Sequence, residues 1–561
     1  DQVTLFSLGF ENKSKDKNQV FKNFFEELKE NGEIPQDFKV ILGNEIYLVD
    51  EEEMKSQMAN KERVHFYHFI LLALDDIGHR QLRELSTRAW SRMFSWRGIE
   101  RKPTYYEDIE EIIGENQGHV VASTACLGGL IGKSILNGDI ETPLGFIEWC
   151  QDVFGKDNFF LEMQPHERAF DENGQEIISE QRIVNEWIIQ QGLPTIITTD
   201  AHYLAKEHRK FHKAYLTSDN DEDKASVREV DSFYATTYHM DTEEIHSYLN
   251  HYIDESLINQ CIDNAWDISQ RVKGYNLTRK QAVTEFPLPP ENEWFINDDI
   301  LDMFYDNEKE FNNCITMWES DNLYNGYLIS LCMKGASDTF LIPSKDEWWD
   351  TFKRVNQECE ELLGISEHAG YNMSAYSILI KEFIDMIWDG AESILAPSRG
   401  SALGYMINYL LGIVQVNPLK APVDLPHWRF IHKSKPSLPD VDLDTPGYKK
   451  EAVFKVCKSL MEEIGGTLVR VGTFKTETTK SAIQTACRGV GVDSDTAMYL
   501  SSLIPVDRGA VRSLKDTVYG NEEHGIPPHK DFIREVNKYE GLLDVIFEIE
   551  GLISGRSSHA G

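Results

Sequence analysis

Five short apolar runs organise the first two hundred residues: FKVILGNEIYLVD, VHFYHFILLALDD, GHVVASTACLGG, NFFLEMQPH and LPTIITTDAHYL. Each is bounded by polar or small residues at its end, which is how a buried strand reads in a sequence. Helical spacing separates the runs, as at 181–191 (QRIVNEWIIQQ), and an amphipathic helix is predicted over 18–31 from Phe21, Phe24, Phe25 and Leu28. Strand and helix in alternation, with polar groups gathered at strand ends, is the plan of an α/β barrel.

The texture changes after about residue 240. A Pro-rich connector, TEFPLPPENEW (284–294), leads into helical, Trp- and Glu-rich sequence, of which SAYSILIKEFIDMIWDG, closed by Gly390, is the clearest helix. ILAPSRGSALGYMINYLLGI follows, then SLPDVDLDTPG at 437–447, and the chain is mostly helical and polar from 448 to about 540. If 437–447 is a strand, Asp440, Asp442 and Asp444 share one face. Aspartate is a poor strand residue and like charges repel, so either a divalent cation compensates or the segment is a solvated edge.

A chain of 561 residues holds three or four domains, and 41% hydrophobic content suffices for packed cores. The net charge of −37 excludes a surface that binds nucleic acid everywhere. Residues 397–488 depart from it, with 13 Lys and Arg against 8 Asp and Glu, as expected of a local nucleic-acid groove. Eight scattered cysteines without a CxxC pair point to a reducing, cytoplasmic compartment. No apolar run approaches bilayer length and no secretion signal is evident. The chain opens on Asp1 and closes on Ser558-His559-Ala560-Gly561, which reads as cut at both ends.

Two constellations carry chemistry. Glu45, His68, Cys126, Asp200 and His202 are all metal-ligand types at or near predicted strand ends. Imidazole, thiolate and carboxylate together suit Zn²⁺, Mn²⁺ or Fe²⁺. Arg399, Gly400, Ser401 and Gly404 open an apolar helix, whose exposed N–H groups would suit a phosphate, with Arg399 as a bidentate donor. An ordinary Ser-capped helix is the other reading. The aspartate segment about 40 residues on favours phosphoryl chemistry assisted by metal.

The order SRGSALGYMINYLLGI, NPL, WRFIH, LPDVDLD resembles the palm of the bacterial replicative DNA polymerase III alpha subunit, the C family, with its GRGS, DPL, ERFL and PDxDxDF elements. VRVGTFKTETTKSAIQTACRGVG resembles its thumb-side segment and EGLISGRSSHAG its HAAG element. The five N-terminal runs are similar, in order, to that family's PHP (polymerase and histidinol phosphatase) domain. The departures are Ser398 in place of a glycine, Thr445 in place of phenylalanine and Ser558 before the HAAG-like end. The family's third catalytic aspartate would fall beyond residue 561, and its N-terminal HxH precedes Glu45 and is absent. A larger parent, or a second polypeptide, is expected to complete the site.

The resemblance implies a multidomain α/β and α+β protein. Its parts would be a PHP-type (β/α) barrel over 1–245, a polymerase-beta-like mixed palm over 246–445, a mostly helical thumb over 446–540 and a return to the palm over 541–561. It implies Mg²⁺ on Asp440 and Asp442, with Asp444 in a lesser role. It also implies nucleotide binding by Arg399, Gly400, Ser401, Lys480 and Arg488, and Zn²⁺ or Mn²⁺/Fe²⁺ on the PHP set. Primer-template DNA, dNTPs, a sliding clamp and other replisome subunits are the implied partners, with no membrane. The function implied is DNA-templated DNA synthesis. Open beside it are a PHP-type 3′→5′ exonuclease or phosphoesterase with a vestigial polymerase module, and a non-catalytic replisome scaffold.

Overall fold

The five apolar runs become strands of one sheet, and a sixth short strand joins them. In this computed structural model, residues 28–36, 38–92, 94–96, 99–218, 234–275, 282–397, 399–434, 438–507 and 509–558 are described. The helix expected over 18–31 therefore lies largely outside the described residues. The strands are β1 (Gly43–Val49), β2 (Tyr67–Ala73), β3 (Pro103–Tyr105), β4 (Val120–Ser123), β5 (Phe159–Met163) and β6 (Thr195–Ile197), hydrogen-bonded in the order β6-β5-β4-β2-β1-β3.

β2 runs antiparallel to β1 and β4, whereas β1–β3, β4–β5 and β5–β6 are parallel. Among the described residues no pairing joins β6 to β3, so the sheet is mixed and open where the barrel plan predicts a closed ring. An apolar run reads alike in either direction, and the pattern therefore cannot reveal that β2 is reversed. The reversal matters for the site: the start of β2 lies at the same end of the sheet as the ends of β4, β5 and β6.

Helices cover the sheet. α1 (Asp76–Ser91) starts at Asp75, whose Oδ1 accepts from the amides of Ile77 at 3.0 Å and Gly78 at 3.1 Å. α2 (Tyr106–Ile112) follows β3 directly. α3 (Glu180–Gln191) is capped by Ser179 and stopped by Gly192 at φ +63°, one residue longer at its start than the predicted span. Leu48, Leu71, Ala122 and Leu161 of the sheet pack with Leu82, Leu85, Phe146 and Phe154 in the core. α4 (Arg209–Ser218) closes this region.

The chain divides into two compact units, 1–278 with 474–555, and 279–473 with 556–561. The second unit is helical around Phe304, Phe311, Phe352, Ile378 and Tyr405. It contains α5 (Trp348–Ala369), α6 (Met373–Asp385), which runs into a wider π-turn over Met386–Gly390, and α7 (Met406–Leu410). In the first unit, α8 (Thr479–Val490) lies against α4. The contact is close enough that a Cβ on Gly489 would stand 2.1 Å from the Ala214 carbonyl oxygen. No helix among the described residues is long and apolar enough to cross a membrane.

Asp108 joins α1 to α2. Its buried carboxylate accepts from Arg92 Nη2 at 2.9 Å, Arg88 Nη1 at 3.3 Å and the Tyr105 amide at 3.2 Å. Burial pushes this carboxyl up, but Arg92, Arg88 and the amide outweigh it and hold it below its ordinary value. A depressed carboxyl contributes stability above its unfolded pKa of about 3.9 and loses it as pH falls through the folded value. Asp108→Asn is therefore expected to lower unfolding stability by about 2 kcal/mol at pH 7. That difference should shrink below about pH 4, which urea denaturation at both pH values checks.

Candidate metal and phosphate sites

The reversed β2 brings Glu45 and His68 together. Glu45 pairs with Ile70 in the ladder, so His68 is its diagonal neighbour on the same face, and Glu45 Oε1 lies 2.7 Å from His68 Nδ1. The loop after β4 returns Cys126 to the same place, with Sγ 3.6 Å from His68 Nδ1, and the Gly128 carbonyl accepts from the His68 amide at 3.1 Å. Asp200 and His202 follow β6; His202 Nδ1 is 2.6 Å from the Asp200 carbonyl oxygen and 3.9 Å from its carboxylate. These contacts are pairwise, and no group of three or more His, Cys, Asp or Glu among the described residues stands in ion-holding geometry.

Two residues here carry positive φ without being glycine: Ala125 (+58°), just before Cys126, and Asp200 itself (+45°). Such backbone costs about 1–3 kcal/mol per residue and persists where its surroundings enforce it. The electrostatics point the same way. Burial, with Asp200 and Glu45 beside it, pushes the Cys126 thiol up to about 12. Burial, with Glu45 adding to it, raises the Asp200 carboxyl, while the hydrogen bond from His68 holds Glu45 down. A cation among these groups would relieve both raised values, so the donor chemistry fits Zn²⁺, Mn²⁺ or Fe²⁺.

Further residues around this site were not anticipated from the sequence. Glu162 on β5 is buried, and it accepts from Ser123 Oγ at 2.6 Å, from Thr198 Oγ1 and from Gln164 Nε2 at 3.3 Å. It thereby ties the ends of β4 and β6, three and two residues before Cys126 and Asp200. Its signal was a lone charge inside the apolar run NFFLEM. Tyr234 and His212 ring His202, with Tyr234 centroids 4.7 Å from His202 and 4.9 Å from His212.

In the second unit, residues 438–445 form no strand, and among the described residues they make one antiparallel bridge, Arg399 with Asp442, in place of the expected strand. The Ala396 amide donates to the Asp444 carbonyl at 3.0 Å, and Tyr376 on α6 donates to the Pro439 carbonyl. Val441 and Leu443 pack on the core, and the alternating Asp440, Asp442 and Asp444 make an outward face on which Asp440 and Asp444 are exposed. Arg399 sits across that face, Nη2 3.5 Å from Asp442 and Nε 3.4 Å from Asp444. The next residue, Gly400, takes φ +77°, and a Cβ there would touch Asp442 Oδ2 at 3.4 Å. A carboxylate-only set that already draws a cationic side chain fits Mg²⁺.

Gly400–Gly404 forms a 3₁₀ turn, and α7 begins only at Met406. The expected continuous helix with free N-terminal amides is thus replaced by a turn and a short helix, because Glu358 takes the first amides of α7. Lys480 and Arg488 lie on α8 in the other unit. Arg488 Nε donates to the Ser218 carbonyl at the end of α4 at 3.2 Å, and Nη2 to Thr485 at 3.3 Å.

Residues 12–166 match the PHP domain, and residues 326–561 match the bacterial DNA polymerase III alpha NTPase domain. The chain carries a PHP domain followed by a DNA polymerase III alpha domain. It is 39% identical over 556 residues to a probable DNA polymerase, YorL, of Bacillus subtilis (strain 168), and equally to a DNA-directed DNA polymerase of Bacillus phage SPbeta. In both cases the match covers 95% of this chain and 41% of the relative. The DNA polymerase III subunit alpha of Thermus aquaticus is 24% identical over 560 residues, 93% of this chain and 42% of its own. The chain thus spans about two fifths of the length of the relatives it matches. Glu45, His68 and Cys126 fall inside the matched PHP range, and Arg399 to Asp442 inside the polymerase range.

The Cys126 loop of the PHP domain offers a sharp packing test. A Cβ on Gly129 would stand 2.3 Å from the Thr124 carbonyl and 3.1 Å from that of Cys126, whereas one on the helical Gly145 meets nothing within 4 Å. Gly129→Ala should cost about 2–3 kcal/mol by overpacking. Gly145→Ala should gain about 0.5–1 kcal/mol from helix propensity. Opposite shifts in thermal unfolding midpoint check the pair.

Proposed function

We propose that this chain is the PHP, palm and thumb portion of a DNA-templated DNA polymerase that acts with the remainder of a longer protein. The observation that carries this reading is the aspartate face at 440–444 with Arg399 across it and the Gly400 turn beside it. Asp440 and Asp442 would hold Mg²⁺, which when bound activates a primer 3′-hydroxyl and stabilises a departing pyrophosphate. Asp440 is exposed and Asp442 half-buried, so both remain open to ligands. Arg399 offers the planar donor fork that matches phosphate oxygens, and the Gly400 and Ser401 backbone would orient the triphosphate against it. Lys480 and Arg488 would add positive charge, Arg488 the less freely because it is engaged with Ser218. Primer-template DNA, dNTPs, a clamp and other replisome subunits would be the partners.

In the full-length parent, Asp440→Ala or Asp442→Ala should abolish nucleotide incorporation while duplex binding, measured by fluorescence anisotropy, stays near wild type. Normal primer extension by either variant would remove the assignment. Arg399→Ala should raise the KM for dNTP about tenfold or more with little change in template affinity.

A second reading concerns the PHP domain and rests on the raised Cys126 and Asp200 and on the strained backbone at both positions. Glu45, His68, Cys126, Asp200 and His202 would hold Zn²⁺, Mn²⁺ or Fe²⁺, which supplies a hydroxide able to cleave phosphodiesters, including mispaired 3′ ends. Elemental analysis of the parent should find at least one such ion per molecule, with Mn²⁺-dependent 3′→5′ degradation of single strands. Less metal and no nuclease activity would make the domain structural.

A further inference from the structure

Glu358 is the most deeply buried carboxylate of the second unit, with 0% of its surface exposed, and it sits in the middle of α5. Its Oε1 accepts from the Met406 amide at 2.7 Å and from Arg354 Nε at 3.0 Å, and its Oε2 accepts from the Ile407 amide at 2.9 Å. Arg354, one helical turn earlier, donates through Nη2 to the carbonyls of Gly404 at 2.8 Å and Leu425 at 2.5 Å. The Tyr405 hydroxyl, also buried, donates to the backbone carbonyl of Glu358 at 3.1 Å.

Apart from the Arg354–Glu358 pair itself and the bond to Leu425, these contacts converge on residues 404–407, where the Gly400–Gly404 turn ends. The turn cannot drift away from α5 without breaking several of them at once. The turn is also closely packed at this end, since a Cβ on Gly404 would stand 3.0 Å from the Pro426 carbonyl. A buried ion pair is a poor source of stability, since well-packed apolar residues of the same volume often do better. What it does supply is direction: fixed donors and acceptors that admit one backbone path.

We infer that Arg354 and Glu358 are positioning residues that set the nucleotide-binding turn at Arg399–Ser401 from behind. They touch neither the aspartate face nor any nucleotide, and act by fixing the far end of the turn that carries Arg399 and Gly400. Burial pushes the Glu358 carboxyl up to about 7, against the opposing pull of the two amides and Arg354. The inference rests on the nucleotide-binding reading of Arg399 above.

A double-mutant cycle in the full-length parent tests it, with the KM for dNTP, kcat and primer-template Kd measured for Glu358→Gln, Arg399→Ala and the pair. Glu358→Gln keeps the shape but turns one of the two acceptor oxygens into a donor, which must then face either the Met406 or the Ile407 amide. It should raise the KM for dNTP about tenfold and leave template Kd within twofold. In the double variant the KM should match that of Arg399→Ala alone, since both changes disable one turn. Additive effects, or a fall in kcat with KM unchanged, would overturn the inference. If Arg399→Ala itself leaves KM unchanged, the nucleotide reading fails. If only Arg399→Ala raises it, that reading stands and this inference falls. Should Glu358→Gln fail to fold, Arg354→Lys carries the same cycle, because it keeps the charge and loses the fork to Gly404 and Leu425.

Discussion

A carboxylate taken out of water must collect donors, and those donors usually come from different parts of the chain. Three of the buried carboxylates show that constraint at work. Asp108 draws in Arg88, Arg92 and the Tyr105 amide, and so locks α1 to α2. Glu162 draws in Ser123 and Thr198, and so brings the ends of β4 and β6 level. Glu358 draws in Arg354 and the start of α7. In each case the apolar core supplies the bulk of the packing, and the charge decides which backbone path is taken. The two candidate sites lie next to the second and third of these anchors.

The exposed aspartates at 440–444 obey the same rule with a different answer. They keep contact with water, and Asp442 and Asp444 share a guanidinium, which leaves them able to exchange that partner for another cation. A buried anchor cannot make that exchange. The molecule thus separates carboxylates that hold shape from carboxylates that can change partner.

Much of this was legible in the sequence because side-chain period is local information. The five apolar runs, the α3 span and the outward face of Asp440, Asp442 and Asp444 all follow from spacing alone. Strand direction does not, and the reversed β2, which puts Glu45 beside His68, appears only once the sheet is assembled. The segment at 438–445 reads as a strand, yet among the described residues its one bridge is to Arg399, so no ladder forms. Glu162 and Glu358 were passed over for another reason. A single charge in an apolar stretch says that a partner exists and not where it is. The partners of Glu358 at 406–407 lie nearly fifty residues away.

The contact of α4 with α8, close enough for Gly489 to meet the Ala214 backbone, joins segments separated by residues 279–473 of the second unit. A ribosome making about 5–20 residues each second needs roughly 14 to 55 seconds to pass from Ala214 to Gly489. Throughout that passage the side of Ala214 that α8 will cover lacks that partner, and residues 279–473 of the second unit are made before it arrives. The order of synthesis therefore favours an inside-first assembly, in which the inserted unit forms early and the flanking halves close last. Whatever shields the waiting face of α4 during that interval would govern how much of the newly made protein reaches its native state.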